Sequence, residues 1–294
     1  MSLKSLTFYI VDVFAEEKYA GNQLAVVRDA KALSDVEMQK IAKEMHFSET
    51  TFILSDEKRA GGYDVRIFTP GRELPFSGHP TLGTAYVIQR EIIKKHIDKV
   101  VLNLKVGQIP VKFTYAKKND ETLFMKQLPP SFGETFDTKT ISVLSLNAED
   151  IDKRFPVQEV STGVPFIIVP LKNLDALKRA RIDRQKYLRL IENTEAKAIL
   201  IFCPEPRSKR NNLSARLFGY TVPEDAASGS ANGCLAGYLI KYRYFGKEKI
   251  DVRVEQGYEI GRPSLLLLRA EERVSKIDVF VGGKVIMVAK GKLV

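Results

Sequence analysis

The chain has 294 residues, 44% of them hydrophobic and 28% charged: enough for one large or two medium domains with ordinary cores, and too balanced for a disordered chain. No apolar run approaches the ~18 residues of a membrane-spanning helix, and two cysteines are too few for a disulfide framework or a cysteine metal cage. The net charge of +10 admits nucleic acid, an anionic membrane surface or a small anionic substrate as partner, but Lys and Arg are interleaved with Asp and Glu. The nearest basic tract, Arg207-Ser-Lys-Arg210, has no zinc-finger, helix-turn-helix or aromatic-basic strand motif beside it, so a solvated surface is expected, with no nucleic acid and no membrane as partners.

The N-terminus runs straight into the apolar Phe8–Val13 with no charged-then-apolar signal and cleavage site, from which cytoplasmic residence is expected. Phe8–Val13 and Leu24–Val27 read as strands joined through Tyr19-Ala-Gly-Asn22. Ser34-Asp-Val-Glu37 is a capping box that predicts a helix ending near Met45. Strands follow at Thr51–Leu54 and Tyr63–Phe68, then a loop over Thr69–His79 and a helix. Lys99–Leu104, Val111–Tyr115 and Leu123–Gln127 read as antiparallel strands, with Gly107 and the Lys117–Glu121 loop between them. Leu128-Pro-Pro-Ser-Phe-Gly-Glu134 is the linker candidate, because paired prolines stop regular structure.

Beyond it, a helix is expected near Asn147–Arg154, strands at Val157–Val160 and Phe166–Val169, and helices around Leu174–Ala180 and Arg184–Glu192. Strands at Ala198–Cys203 and Leu213–Phe218 precede a second apolar helix. Asp251–Glu255, Leu265–Arg269, Lys276–Val281 and Val285–Lys290 complete the set, with Gly282-Gly283 as a hairpin signal. The fold class is α+β: strand-rich halves with one central helix each. The boundaries expected are 1–128 for the first domain, completed by the strand at 285–294, and 129–284 for the second.

The two central helices are twins. Glu73-Leu-Pro-Phe-Ser-Gly-His-Pro-Thr-Leu-Gly-Thr-Ala-Tyr-Val-Ile88 can be laid over Glu224-Asp-Ala-Ala-Ser-Gly-Ser-Ala-Asn-Gly-Cys-Leu-Ala-Gly-Tyr-Leu-Ile240, with Glu73 and Glu224 at the same interval before Ser77-Gly78 and Ser228-Gly229. Gly21-Asn-Gln-Leu-Ala-Val-Val27 and Gly163-Val-Pro-Phe-Ile-Ile-Val169 match loosely upstream. Two copies at long spacing suggest a duplicated α/β unit rather than a solenoid, with two helix N-termini facing one another across a cleft. Such an N-terminus carries unpartnered amides at the positive end of a dipole, so a carboxylate can dock near Gly229 and Ser230. The plainer alternative is that Asp225 or Ser228 only caps its helix.

His46, His79 and His96 lack metal-ligand spacing among themselves or with the cysteines. No dinucleotide fingerprint or P-loop is present, so nucleotide cofactors lack support. Ser228-Gly-Ser-Ala-Asn-Gly233 misses the nucleophile-elbow pattern, which leaves a serine hydrolase as a third choice. Glu49, His79 and Asp225 remain as acid–base groups at loop-to-element junctions. A carboxyl drawn partly out of water between Phe47 and Phe52 can serve as acid or base near neutrality. Taken alone, Glu49 reads equally as a surface residue at a strand start, His79 as a capping or core imidazole, and Asp225 as a helix cap.

Met45-His-Phe-Ser-Glu-Thr-Thr-Phe52, Arg66-Ile-Phe-Thr-Pro with Glu73-Leu-Pro-Phe-Ser-Gly-His-Pro-Thr-Leu-Gly83, and Glu224-Asp225 with Ser228-Gly-Ser-Ala-Asn-Gly233 resemble the phenazine-biosynthesis PhzF-like proteins. Val11-Asp-Val-Phe14, Gly21-Asn-Gln-Leu-Ala-Val26, Gln256-Gly257 and Gly261-Arg-Pro-Ser264 match as well, in order along nearly the whole chain. The resemblance implies the diaminopimelate epimerase-like fold: two pseudo-symmetric lobes, each a curved, mostly antiparallel sheet around a central helix, with the active site in the cleft. It also implies an isomerase that needs no cofactor or metal, acts on a small anionic carboxylate and forms a homodimer. Where two-thiol epimerases of this fold carry a cysteine before each helix, Ser77 and Ser228 stand here, and hydroxyls are too weakly acidic for that exchange.

The PhzF type instead moves a proton between carbons of a dihydro-hydroxyanthranilate with one glutamate, whose position is Glu49. His79, Asp225 and Ser230 match the residues around its substrate, and Gly78 and Gly229, flanked by Ser77 and Ser228, match the amides that hold its carboxylate. The chain departs from the family at Asp225-Ala226-Ala227-Ser228-Gly229-Ser230, where Asp-Pro and a Thr-Gly-Ser step are usual; loss of the proline loosens the loop before the helix. The rivals are an epimerase with noncysteine bases, which would load both the Ser77 and Ser228 regions, and a carboxylate-binding protein without turnover.

Overall fold

In the computed structural model, which describes residues 5–117, 120–137, 142–219, 223–274 and 276–294, local chemistry sets the first helix. The Glu37 amide donates to Ser34 Oγ (3.3 Å) and the Ser34 amide to Glu37 Oε2 (2.7 Å), closing the capping box at the start of α1 (Asp35–Met45). Its buried face, Met38 and Ala42, packs with Val27, Phe52 and Phe68. Ser34→Ala removes the cap acceptor and is expected to cost about 1 kcal/mol, read as a lowered midpoint in urea unfolding; an unchanged midpoint would count against the cap.

The chain divides into two compact units, one running to Met125 and closing with Gly282–Val294, the other Lys126–Val281. The first contains β1 (Leu6–Val13), β2 (Asn22–Val27), β3 (Thr50–Ile53), β4 (Tyr63–Phe68), the short β5 (Glu73–Leu74), α2 (Gly78–Val87), β6 (Lys99–Leu104), β7 (Gly107–Lys117) and most of β8 (Asp120–Lys126). β1 pairs antiparallel with β2, β2 parallel with β3, β3 antiparallel with β4, β4 parallel with β6, and β6 antiparallel with β7. The middle of the expected Lys117–Glu121 loop, residues 118–119, lies outside the described residues.

All ten residues of α2 are buried, as its apolar composition on every side requires. A Cβ at Gly83 would lie 2.6 Å from Leu24 Cδ2 and 2.9 Å from Val13 Cγ2, so only glycine lets the helix settle on β1 and β2. Thr84 and Thr51 hydroxyls, 2.8 Å apart and buried, tie α2 to β3.

The second unit contains β9 (Ser131–Phe136), β10 (Val157–Ser161), β11 (Pro165–Pro170), α3 (Leu174–Arg179), α4 (Arg184–Glu192), β12 (Ala198–Cys203), β13 (Leu213–Gly219), α5 (Gly229–Lys241), β14 (Lys249–Gln256), β15 (Ser264–Arg273) and most of β16 (Lys276–Gly283). β10 pairs antiparallel with β11, β11 parallel with β12, β12 antiparallel with β13, β13 parallel with β14, and β14 antiparallel with β15. This repeats the order of pairings in the first unit. α2 and α5 occupy the same place in it, leading from the fourth strand of the series to the fifth. α5 packs on β10, β11, β14 and β15, while Ala176, Leu177, Tyr187 and Ile191 of α3 and α4 join a separate core with Ile167, Val169, Ile199 and Ile201. The final strand, β17 (Val285–Leu293), pairs antiparallel with β1 from Leu6↔Leu293 to Val13↔Val285.

Two expectations are corrected. The Leu128–Glu134 linker is shorter, because Ser131 begins β9, which pairs antiparallel with β10 from Ser131↔Ser161 to Phe136↔Val157. The helix near Asn147–Arg154 is a single 3-10 turn, Ala148–Asp150. Asn147 and Asp150 cap one another across that turn, and Ile151 then forms a bridge with Leu171, which takes the chain out of helical geometry. Among the described residues no helix is long and apolar enough to cross a membrane.

Candidate functional site

Glu49 immediately precedes β3, after α1 has ended on His46 in the left-handed region (φ 56°). Ser77, at the end of the loop from β5, is the N-cap of α2 in extended backbone, yet its side chain makes no cap hydrogen bond. Its Oγ instead donates to Glu49 Oε1 at 3.2 Å. His79, in the first turn of α2, brings Nε2 to 3.4 Å from Glu49 Oε2. Both of these atoms are buried, and their alignment gives neither a hydrogen bond. Glu49, Ser77, Gly78 and His79 are thus brought together in the first unit. One carboxylate oxygen is held by a hydroxyl, and the other faces an imidazole without being committed to it. Buried polar atoms left in that state are costly unless something else completes them.

The second unit assembles Asp225, Ser228, Gly229 and Ser230 around the start of α5. Here the serine does cap its helix, Ser228 Oγ accepting from the Ala231 amide (3.3 Å), and it stands 3.4 Å from Ser230 Oγ. Asp225 is half-buried and held by its backbone: its amide donates to Leu217 O (3.0 Å), and its carbonyl accepts from Gln256 Nε2 (2.9 Å). Asn232 Nδ2 in turn donates to Gln256 Oε1 and to Ser228 O, both at 2.9 Å. Gly257 follows in the left-handed region (φ 79°), where a Cβ would sit 2.5 Å from Ala226 O. The tail of β14 therefore buttresses the loop that lacks the usual proline.

Asn232 and Gln256 carry no role in the sequence reading, although both lie in stretches that resemble the family. Both are fully buried, and the sequence signal available was an amide side chain, Asn232, within the largely apolar α5; buried amides are retained where they are hydrogen-bonded.

The twin serines therefore differ in role although their sequence positions match: Ser77 serves Glu49, Ser228 serves its own helix. The two cysteines are elsewhere. Cys203 ends β12 and Cys234 lies in the second turn of α5; burial pushes their thiols up to about 11 and about 12. Neither is expected to react with iodoacetamide in the native protein at pH 8, since the thiolate is the nucleophile, while both react once unfolded. Rapid native labelling with loss of activity would assign a thiol to the site. Among the described residues no group of three or more His, Cys, Asp or Glu side chains could hold a metal ion.

Sheet-dominated units, each with one buried helix, define the class as an α+β fold of the diaminopimelate epimerase type. The comparisons agree. A hydroxyproline epimerase of Agrobacterium vitis superimposes with a TM-score of 0.63 at 10% identity, over 98% of this chain and 91% of that one, a likeness of fold alone. A PhzF-family protein of Bacillus anthracis superimposes with a TM-score of 0.91 at 25% identity, over 99% and 100% of the two chains. The trans-2,3-dihydro-3-hydroxyanthranilate isomerase of Pseudomonas fluorescens is 34% identical over 293 residues, 98% of this chain and 99% of that protein. The family model described as "Phenazine biosynthesis-like protein" matches residues 11–291. The chain belongs to this PhzF family and is one of its isomerases.

Proposed function

We propose that the protein moves a proton between carbons of a small unsaturated amino or hydroxy carboxylate, with Glu49 as the only acid/base and without cofactor or metal. The Glu49 carboxylate takes a proton from one carbon, the electron pair shifts through the adjacent double bond, and the carboxylic acid returns the proton to a more distant carbon. His79 and Asp225 orient and polarise the substrate. Ser230, with the amides of Gly78 and Gly229, holds its carboxylate, and Ser77 and Ser228 flank those amides at the two helix starts.

The observation that carries this reading is the state of Glu49: one oxygen steadied by Ser77, the other buried beside His79 and uncommitted. A base that must accept and return a proton needs such a free oxygen. The capping duty of Ser228 favours one base over a symmetric pair, because a hydroxyl oxygen engaged by its own helix is poorly placed to take a proton.

The test is proton NMR in D2O of trans-2,3-dihydro-3-hydroxyanthranilate, the substrate named for the Pseudomonas fluorescens relative. Consumption with deuterium entering the product's ring is expected. Exchange at one carbon with inversion would point to an epimerase instead, and no turnover by folded protein would remove this substrate.

A further inference from the structure

The duplication extends upstream of the twin helices, to a pair of arginines. Arg66-Ile67-Phe68 lies on β4 before Glu73, and Arg216-Leu217-Phe218 lies on β13 before Glu224. In the first unit Arg66 Nε donates to Glu73 Oε1 (2.8 Å) and Nη2 to Glu73 Oε2 (2.7 Å). In the second, Arg216 Nε donates to Glu224 Oε1 (2.9 Å) and Nη2 to Glu224 Oε2 (2.8 Å). The same atoms meet in both.

The surroundings repeat too. Each guanidinium lies over the ring two residues on, Phe68 at 5.0 Å and Phe218 at 4.7 Å. The residue after each arginine pairs in antiparallel register with the residue after its glutamate, Ile67 with Leu74 and Leu217 with Asp225. The remaining nitrogen, Nη1, reaches a further helix in each case: Asp35 in the first turn of α1 (2.6 Å), and the Leu177 and Ala180 carbonyls at the end of α3 (2.8 and 2.9 Å). Arg66, first, and then Lys105 hold the Glu73 carboxyl below the usual carboxylate range, against the effect of burial.

A lone surface ion pair contributes little. A bidentate fork, stacked on an aromatic ring and repeated atom for atom, fixes geometry as well as charge. What it fixes is the loop before each twin helix. Four residues after Glu73 comes Ser77, which touches Glu49; four after Glu224 comes Ser228, with Asp225 directly adjacent to the glutamate.

We propose that Arg66 and Arg216 are positioning residues for the isomerase: each locks, through Glu73 or Glu224, the loop that presents one set of site residues. The kinetic part rests on the function proposed above. The first clamp sets Ser77 and His79 against Glu49, so its loss acts on kcat. The second sets Asp225, Ser228 and Ser230, so its loss acts on KM.

The experiment uses the full chain and the variants Glu73→Gln, Glu224→Gln and Arg66→Lys. Glutamine keeps the shape and drops the ion pair; lysine keeps the charge and drops the fork. Amide hydrogen exchange read by mass spectrometry should rise about tenfold over residues 69–78 in Glu73→Gln and Arg66→Lys, with residues 223–231 unchanged, and the reverse in Glu224→Gln. With trans-2,3-dihydro-3-hydroxyanthranilate, Glu73→Gln should lower kcat about tenfold at steady KM, and Glu224→Gln should raise KM about tenfold at steady kcat.

Unchanged exchange in a variant's own loop would overturn the proposal. So would exchange rising equally over every segment of the chain, with no excess in the variant's own loop, the mark of a general stabilising role. If the wild type leaves this substrate untouched, the substrate assignment fails while the exchange data still decide the clamps.

Discussion

Glu49→Gln is expected to lower turnover of trans-2,3-dihydro-3-hydroxyanthranilate by about a thousandfold or more, within the range of about 10²–10⁴ that a positioned acid/base contributes, and to leave substrate affinity within a few-fold. The substitution is close to isosteric. The amide oxygen can still accept from Ser77, which donates to Glu49 Oε1 in the wild type at 3.2 Å, so the loop before α2 keeps its anchor. What disappears is the oxygen beside His79 Nε2 that can take and return a proton. Deuterium incorporation should vanish together with turnover, because in the proposed mechanism one group performs both halves of the transfer. Ser77→Ala removes only an orienting hydrogen bond and should cost far less. Undiminished turnover by folded Glu49→Gln would place the proton carrier elsewhere. Loss of binding together with turnover would make Glu49 a ligand to the substrate rather than its base.

Much of the framework around the candidate site was legible because the chemistry is local or repeated. Ser34 and Glu37 announce α1 by a pairing three residues apart, and the structure closes it. The equal spacing from Glu73 to Ser77 and from Glu224 to Ser228 marks two helix starts, both found where the spacing puts them. What stayed hidden depends on long-range register. Paired prolines read as a linker, yet Ser131–Phe136 finds β10 and becomes a strand. Asn147–Arg154 looks helical only until Ile151 is drawn to Leu171.

The arginine clamps are invisible without the structure for the same reason. Arg66 and Glu73 meet because β5 turns back on β4, and sequence spacing alone does not say that it does. Nor does sequence distinguish Ser77 from Ser228. Their neighbours match, and only the direction of each hydroxyl separates a partner of Glu49 from a helix cap.

The register that hides the clamps also sets their unequal cost when broken. Arg216→Leu is expected to destabilise the protein by about 3–5 kcal/mol, the usual result of removing one partner of a buried ion pair, which corresponds to a fall of roughly 10 °C in melting temperature for a chain of this size. The Arg216 side chain is 4% exposed and that of Glu224 11%. Deleting the guanidinium strands a buried carboxylate and takes its donor from the Leu177 carbonyl, while the Ala180 carbonyl keeps Arg181 Nη1 at 2.8 Å. Arg66→Leu should cost about 1–2 kcal/mol, nearer the value for partly exposed pairs. Arg66 is 20% exposed, and Glu73 keeps Lys105 Nζ at 2.5 Å.

The double variant Arg216→Leu with Glu224→Leu should recover part of the lost stability, since no charge is left unpaired. Full recovery is not expected, because the Leu177 carbonyl still lacks the donor that Arg216 supplied. Nor should it restore order to the loop before α5, which then has apolar contact in place of a directed fork. Thermal unfolding followed by circular dichroism separates these cases. Equal melting temperatures for Arg216→Leu and Arg66→Leu would refute the burial argument. A double variant no more stable than Arg216→Leu alone would show that the Leu177 carbonyl, rather than the stranded carboxylate, carries the cost.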